Sequence, residues 1–311
     1  MTSGKLLVVG SLNQDTSLKV HVLPKPGETV AAIDVLVSAG GKSANQAVAA
    51  SRLGAEVSLI GAVGDDEAGT ALRRQLEASG VDTSSVSTIV STATGTALIT
   101  VDDQGENTIV VAAGANDHLT PERIGDSDFG GAAIISLCLE VPDHVLVYAA
   151  LRAKRQGARV MLNASPLRAF DCALLELADI VVVNEHEYSA LFGELPAEDD
   201  DWLTKLAELA TQLLIVTLGK DGAIAVDRST PTPTIHRQES RHVEAVDTTG
   251  CGDALAGVLA GELSKGTPLP EALERATAFA SLVATRSGAQ SSYPSREAFA
   301  QWQAEQAYAY E

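Results

Sequence analysis

Residues 245–254 read AVDTTGCGDA and run straight into LAGVLAGEL at 255–263. An apolar strand end gives way to a polar turn bearing two glycines, and the turn opens onto an apolar stretch that predicts a helix. A strand, a tight turn and a helix N-terminus leave several backbone N–H groups unpaired at one spot. The positive end of the helix dipole points there too, so the segment predicts an anion site. Asp253 stands where a bound phosphate would repel it most. That position suits a carboxylate with a chemical task, a base beside a phosphate-binding turn.

Working outward, short apolar runs that end in glycine or a polar residue recur along the chain, at 5–10, 57–61, 132–139, 159–163, 180–183 and 213–218. Each has the continuous hydrophobicity of a strand buried on both faces. Between them lie helical stretches at 67–79, 145–156 and 174–178, with two more at 253–264 and 269–286, and the acidic run 198–201 reads as a solvated helix start. Residues 223–226, with strand-like sequence to about 243, predict antiparallel strands at a sheet edge. Two segments break the alternation. Residues 16–38, around PKPG at 24–27, read as exposed strands joined by a turn. The runs 94–101 and 107–112, joined by DDQGE, read as a hairpin. We expect these to form a separate small sheet. The fold class that follows is α/β, a doubly wound, mainly parallel sheet flanked by helices, in one unit spanning 1–311.

The bulk numbers narrow the function. At 311 residues and 45% hydrophobic content the chain can bury a sizeable core, and its net charge of −19 argues against a nucleic-acid binder. Local amides and single cations can still hold an anionic small substrate. Cys138, Cys172 and Cys251 show no CxxC or zinc spacing, and an odd count without a secretory signal points to reduced thiols in a cytoplasm. No apolar run approaches the roughly 18 residues a membrane span needs, so no membrane partner is expected.

A second glycine cluster, AGGKSANQ, occupies 39–46. Gly41-Lys42-Ser43 invites comparison with a Walker A loop, but that motif needs a glycine where Leu36 stands, so it is rejected. The glycines would instead let backbone approach a ligand closely, with Lys42 and Asn45 offering hydrogen bonds from a helix start; a plain glycine-rich cap would look the same. Asn13 and Asp15, beyond the first strand, fit either a ligand crevice or an ordinary turn. What favours a crevice is the shared position of Asn13, Glu140, Asn184 and Thr217, each following an apolar strand. In a parallel sheet such ends gather along one edge, and Asp253 at a helix N-terminus can face the same place.

Along nearly its whole length the chain resembles the ribokinases of the PfkB-type carbohydrate kinase family. The resemblance rests on GSLNQD (10–15), GGKSANQAVAASRLGA (40–55), GENTIVVAAGAN (105–116), LNASP (162–166), NEHE (184–187), TLGKDG (217–222), DTTGCGDA (247–254) and RSGAQSSYPSRE (286–297), in family order. It implies a ribokinase-like fold with a small β-sheet lid built from roughly 16–38 and 94–113, and ATP-dependent phosphorylation of a sugar hydroxyl. By this resemblance Asn13, Asp15, Gly41, Lys42, Asn45, Glu140 and Asp253 would bind the sugar, with Asp253 taking the proton of the attacking hydroxyl. Gly250, Cys251 and Gly252 would supply the anion-hole amides. Asn184 and Glu187 would organise Mg²⁺, largely through water, and Asn184, Thr217, Gly219, Gly222 and Gly252 would border the nucleotide. Asp247, Thr249, Val283, Arg286, Gly288 and Ser292 match the positions of a K⁺ site. The family also implies a homodimer through the lid.

Elementary chemistry agrees with these roles. Phosphoryl transfer depends mainly on positioning and electrostatics, Mg²⁺ retains waters and needs few protein oxygens, and vicinal hydroxyls need carboxylates and amides as partners. The chain departs from the family pattern at Cys251, where Ala is usual, and at Ser43, where Gly is common; residues 276–278 lack an Asn that some ribokinases place near adenine. A thiol at a helix N-terminus is expected to have a lowered pKa, which would make Cys251 sensitive to oxidation. The rival readings are a kinase of the same family acting on deoxyribose, another sugar or a nucleoside, and a non-catalytic sugar-binding regulator. The absence of Phe, Trp and Tyr from 16–38 and 94–113 favours a small sugar over a nucleoside.

Overall fold

β1 (Lys5–Val9) sends Leu6 and Val8 to one face of a sheet and Leu7 and Val9 to the other, all completely buried. Side chains alternate across a strand, so a run that is apolar at every position must be covered on both sides. The computed structural model describes residues 4–308, so 1–3 and 309–311 of the expected 1–311 unit lie outside the described residues.

From β1 the chain leaves for a second sheet through β2 (Asn13–Lys19) and β3 (Asp34–Gly40), then forms α1 (Lys42–Arg52), β4 (Val57–Gly64), α2 (Glu67–Ala78), β5 (Val81–Asp82) and β6 (Val86–Ile89). It revisits the second sheet with β7 (Gly95–Val101) and β8 (Asn107–Ala112). The strand–helix alternation resumes with β9 (Ala132–Cys138), α3 (Asp143–Arg155), β10 (Arg159–Asn163), α4 (Ala173–Leu177), β11 (Ile180–Asn184), α5 (Glu185–Phe192) and α6 (Asp199–Glu208). β12 (Leu213–Thr217), β13 (Ala223–Asp227) and β14 (Thr234–Gln238) close the sheet, and α7 (Cys251–Ser264), α8 (Leu269–Val283) and α9 (Arg296–Tyr308) complete the chain.

The main sheet runs β14-β13-β12-β11-β10-β9-β1-β4-β5, with β6 paired to the later half of β4. Its pairs are parallel from β12 to β6, and only β13 and β14 are antiparallel. One face packs on α1, α2, α7, α8 and α9 through residues such as Val48, Leu76, Leu259, Phe279 and Phe299. The other packs on α3 to α6 through Leu146, Leu174, Tyr188 and Trp202. Among the described residues no helix is long and apolar enough to cross a membrane.

Strand order reverses at β1. The chain builds outward to β4 on one side of β1, then returns to β9 on the other side and moves away through β10, β11 and β12. A crevice opens at the carboxyl ends of the strands at such a switch point. Over it stands the second sheet, β3-β2-β7-β8, in which β2 and β7 are parallel and the outer pairs antiparallel.

The differences from the sequence expectation are local. Asn13 and Asp15 lie on β2 of the small sheet, which begins three residues earlier than expected, rather than in a loop beyond β1. The stretch before the 247–254 turn is not a strand. It is an irregular segment with Val246 exposed, pinned where the N–H groups of Val246 and Asp247 both donate to the Ala284 carbonyl, at 2.8 and 3.2 Å. β5, β6, α5 and α9 were not foreseen: the first two are too short to show a period, α5 spans only 8 residues, and α9 packs its Phe299 on α8 without a long apolar stripe.

Candidate active site

Three hollows hold most of the candidate residues. The first, about 550 Å³, lies between β2 and the end of β9 and includes Asn13, Asn116 and Glu140. The next, about 210 Å³, holds Lys42, Asn184, Glu187, Gly250, Gly252 and Asp253. A third, about 240 Å³, runs on past Thr217, Gly219, Gly222 and Gly252 to Ala280 and Ala284.

In the first hollow the polar side chains are held by neighbours that sequence reasoning passed over. One oxygen of Glu140 accepts both the Ser11 hydroxyl (2.5 Å) and the Lys42 N–H (3.0 Å), leaving its second oxygen without a partner among the described residues. Asn116, almost fully buried, donates to the Leu12 carbonyl (3.2 Å), accepts from the Leu12 N–H (3.0 Å) and donates to the Asn13 side-chain oxygen (2.8 Å). Asn13 therefore keeps its amide NH₂ for a ligand. Asp15 lies against Gly40, where a Cβ would fall 2.0 Å from its carboxylate, so a side chain at position 40 would displace it. Burial, then the nearby Glu140 and Asp253 carboxylates, push the Asp15 carboxyl up to about 7.

Gly41 caps α1 with a positive φ of 90°, and a Cβ there would collide with the backbone of Ser11 and Asn13. A side chain is thus excluded twice, by conformation and by space. The cap delivers Lys42 and Asn45 to the centre of the crevice. Ser43 occupies the space a side chain at position 10 would need, and its buried hydroxyl has no hydrogen-bond partner among the described residues.

Asp253 is the third residue of α7 and is buried. Burial pushes its carboxyl up, while Lys42 and the amide of Asn45, which donates to it at 2.9 Å, oppose the shift. The same pairing holds the Lys42 ammonium firmly protonated against its own desolvation. A carboxylate raised by burial is a better proton acceptor than one in water, and it remains poised by a neighbouring cation. Gly250, in the left-handed region at φ 77°, turns the chain into the helix. The N–H groups of Gly250 and Gly252 have no partner among the described residues, as an anion hole requires, whereas the Cys251 N–H donates to the Thr248 carbonyl at 3.2 Å. Cys251 thus closes the turn and is not one of its free donors.

The expectation of a reactive Cys251 is overturned. Burial and the carboxylates of Asp247 and Asp253 push its thiol up to about 11. Both effects run against the lowering expected at the first residue of a helix.

Asn184 and Glu187 form a reciprocal cap on α5: the Asn184 side chain accepts from the Glu187 N–H (2.8 Å), and one Glu187 oxygen accepts from the Asn184 N–H (2.9 Å). The NxxE pattern is therefore a capping box first. Its second carboxylate oxygen has no partner among the described residues and borders the hollow that contains Asp253. Asn184 and Thr217 are register neighbours on β11 and β12, and Gly219 and Gly222 shape the loop that Leu218 N–H closes on the Gly222 carbonyl (2.8 Å).

Beside the anion turn, Asp247 accepts the N–H of Thr249 (2.9 Å) and of Gly288 (2.8 Å), tying the 247–249 and 283–292 loops together. Burial pushes its carboxyl up, but these amide bonds and the Thr249 side chain prevail and hold it below the usual value. The carbonyls of Thr249, Arg286 and Gly288 accept no hydrogen bond among the described residues, while that of Val283 accepts the Arg286 N–H (3.1 Å) and the Ser292 hydroxyl donates to Ala289 (2.6 Å). The structure also draws in Gln290, buried, whose amide donates to the Asn45 oxygen at 3.0 Å. Ser11, Asn116 and Gln290 were missed because they act on other side chains. Their only signal was a place inside GSLNQD, AAGAN and RSGAQSS.

An anion turn with a buried carboxylate, set between a polyol-sized polar hollow and an apolar-walled cleft, defines a phosphotransferase for a hydroxylated substrate. The profile described as pfkB family carbohydrate kinase matches residues 3–296, and the chain belongs to that family. It is a sugar kinase that transfers phosphate to an alcohol group. The chain is 35% identical over 298 residues to a ribokinase of Haemophilus influenzae, covering 94% of this chain and 96% of that one. It is 35% identical over 301 residues to a deoxyribokinase of Salmonella typhi, covering 94% and 97%. Among solved structures it is similar to the Arabidopsis thaliana ribokinase complexed with ribose and ATP, at 30% identity and a TM-score of 0.87, covering 97% of this chain and 98% of the other.

Proposed function

We propose that the protein is a ribokinase, transferring the γ-phosphoryl group of ATP to the O5 hydroxyl of D-ribose. The observation that carries this is the placement of buried Asp253 between the free amides of the anion turn and the polar set Asn13, Asp15, Asn45 and Glu140. Similarity to ribokinases over more than nine-tenths of the chain supports the choice of sugar.

In the proposed reaction the sugar hydroxyl gives its proton to Asp253 as its oxygen bonds to the γ-phosphorus. The bond from that phosphorus to the β–γ bridging oxygen breaks, and ADP leaves with the electron pair. The Gly250 and Gly252 amides hold the charge on the equatorial oxygens, and Lys42 keeps the field at Asp253 positive. Thr217, Gly219 and Gly222 border the nucleotide, whose base lies along the cleft toward Ala280. The small sheet, taken as a lid of roughly 16–38 and 94–113 on a single unit, excludes water from the transfer.

The donor set fits Mg²⁺: a carboxylate with one free oxygen, at Glu187, beside an amide at Asn184, leaves room for the waters this ion retains. When bound, the ion neutralises charge on the phosphates. The ionised Asp247 with the unpaired carbonyls of Thr249, Arg286 and Gly288, flanked by Val283 and Ser292, fits K⁺. Rates in K⁺ should exceed those in a large organic cation, and equal rates would remove this site from the account. Three unpaired thiols suit a cytoplasmic enzyme.

A deoxyribokinase stands as near in identity as the ribokinases, so the 2-hydroxyl decides between two readings. A coupled ADP-release assay with ribose, deoxyribose, fructose and adenosine tests this. Ribose should give the highest kcat/KM; preference for deoxyribose would move the assignment to that kinase, and no turnover on any would refute a small-sugar kinase.

A further inference from the structure

We propose that Gln290 is a positioning residue for the general base, acting by fixing which way the Asn45 amide faces. This deepens the reading of Asp253 as the base and rests on it. An Asn side chain presents a carbonyl at one end and an NH₂ at the other, nearly alike in shape. Only the NH₂ end supports a carboxylate. In the structure the Gln290 NH₂ donates to the Asn45 oxygen at 3.0 Å, and the Asn45 NH₂ donates to Asp253 at 2.9 Å. The Gln290 bond therefore selects the productive orientation. Without it, Asn45 is free to turn its carbonyl toward Asp253 and repel it.

A second observation points the same way. Gln290 is 5% exposed, and its own side-chain oxygen is buried with no hydrogen-bond partner among the described residues. A buried, unsatisfied acceptor is destabilising, and an apolar residue of similar size would avoid it. Space filling therefore does not account for a glutamine here, whereas its NH₂ does. Its loop is also braced independently of Asn45. The Tyr293 hydroxyl donates to the Gly250 carbonyl (3.0 Å), and the Gly288 N–H donates to Asp247 (2.8 Å). The donor thus comes from a segment already tied to the anion turn, and it reaches Asn45 on α1 from outside that helix.

The test is a double-mutant cycle on kcat at saturating ribose and ATP. Gln290→Met keeps the volume and removes the donor. It should lower kcat about tenfold or more, with KM for ATP unchanged and thermal stability little altered, a loss matching one charge-assisted hydrogen bond. In an Asn45→Ala background, where there is no amide to orient, the same change should cost nothing further. A merely structural role would lower kcat equally in both backgrounds. If Gln290→Met does not fold, Gln290→Leu, which also removes the donor without adding charge, takes its place in the cycle with the same expected result. A kcat within twofold of wild type, or losses that multiply in the double mutant, overturns the proposal. Failure of the underlying reading is distinguished by Asp253→Asn, which would then retain activity.

Discussion

Asp15 carries the clearest pH signature in the site. Its carboxyl, ordinarily near 3.8, is raised to about 7 by burial and by Glu140 and Asp253, with Lys42 the cation facing the same cluster. The unfolded chain releases this proton near 3.8 and the folded chain holds it to about 7. The fold therefore binds more protons across that window, and stability falls as pH rises through it. Asp15→Asn removes the penalty. The melting temperature of the sugar-free variant should rise above wild type by a margin that grows from pH 4 to 7 and is constant above; a margin independent of pH would contradict this. Sugar hydroxyls donate to the ionised form, so KM for ribose should climb below pH 7 by up to about tenfold per unit. At this scale, what was legible was what glycine makes obligatory. Gly41 and Gly250 announce their turns, and Lys42, Asn45 and Asp253 ride beside them. Ser11, Asn116 and Gln290 were silent because a hydroxyl or amide that orients another side chain looks like any buried polar residue until the partner's position is known. Cys251 misled for a related reason. Its helix position is local and readable, whereas the burial and the two carboxylates that govern its thiol are set by the fold.

Among elements, α1 and α7 do the placing. α1 brings Lys42 and Asn45, α7 brings Asp253, and every residue of α7 from Asp253 to Ser264 is buried. The two helices approach so closely that a Cβ on Gly257 would fall 2.3 Å from the Gln46 carbonyl. Gly257→Ala should therefore push the helices apart, destabilising the protein by about 1–3 kcal/mol and lowering kcat, since Asn45 precedes Gln46. Chemical denaturation and turnover read both effects; an unchanged kcat in the folded variant would show that this spacing does not position the base. The strand–helix alternation was legible because doubly buried strands are apolar at every position. The start of β2 was not, because Asn13, Gln14 and Asp15 carry polar side chains into a sheet whose inner face is a ligand crevice. The apparent strand at 245–246 failed conversely: two apolar residues were read as a strand end, yet Val246 is exposed and its N–H donates to the Ala284 carbonyl at the end of α8.

On the scale of the molecule, the small sheet is under-covered. Val35, Leu36 and Val37 on β3, Leu98 on β7, and Ile109, Val110 and Val111 on β8 each expose between 48% and 65% of their surface. Three consecutive exposed apolar residues on each edge strand leave both faces of the sheet open, a patch of the kind that marks an interface. A second copy seated lid to lid would bury it, so light scattering should give twice the chain mass, and Leu36→Asp should shift the protein to monomer. A monodisperse wild-type monomer at micromolar concentration would contradict the dimer. Whether the crevice at the switch point phosphorylates sugar with Asp253 as its base is read from the rate of ADP release with saturating ribose and ATP, for the wild-type protein and for folded Asp253→Asn. Turnover should depend on the sugar and fall about 10²–10⁴-fold in the variant, the range general-base removal typically gives; a variant that turns over within a few-fold of wild type is incompatible with Asp253 as the base.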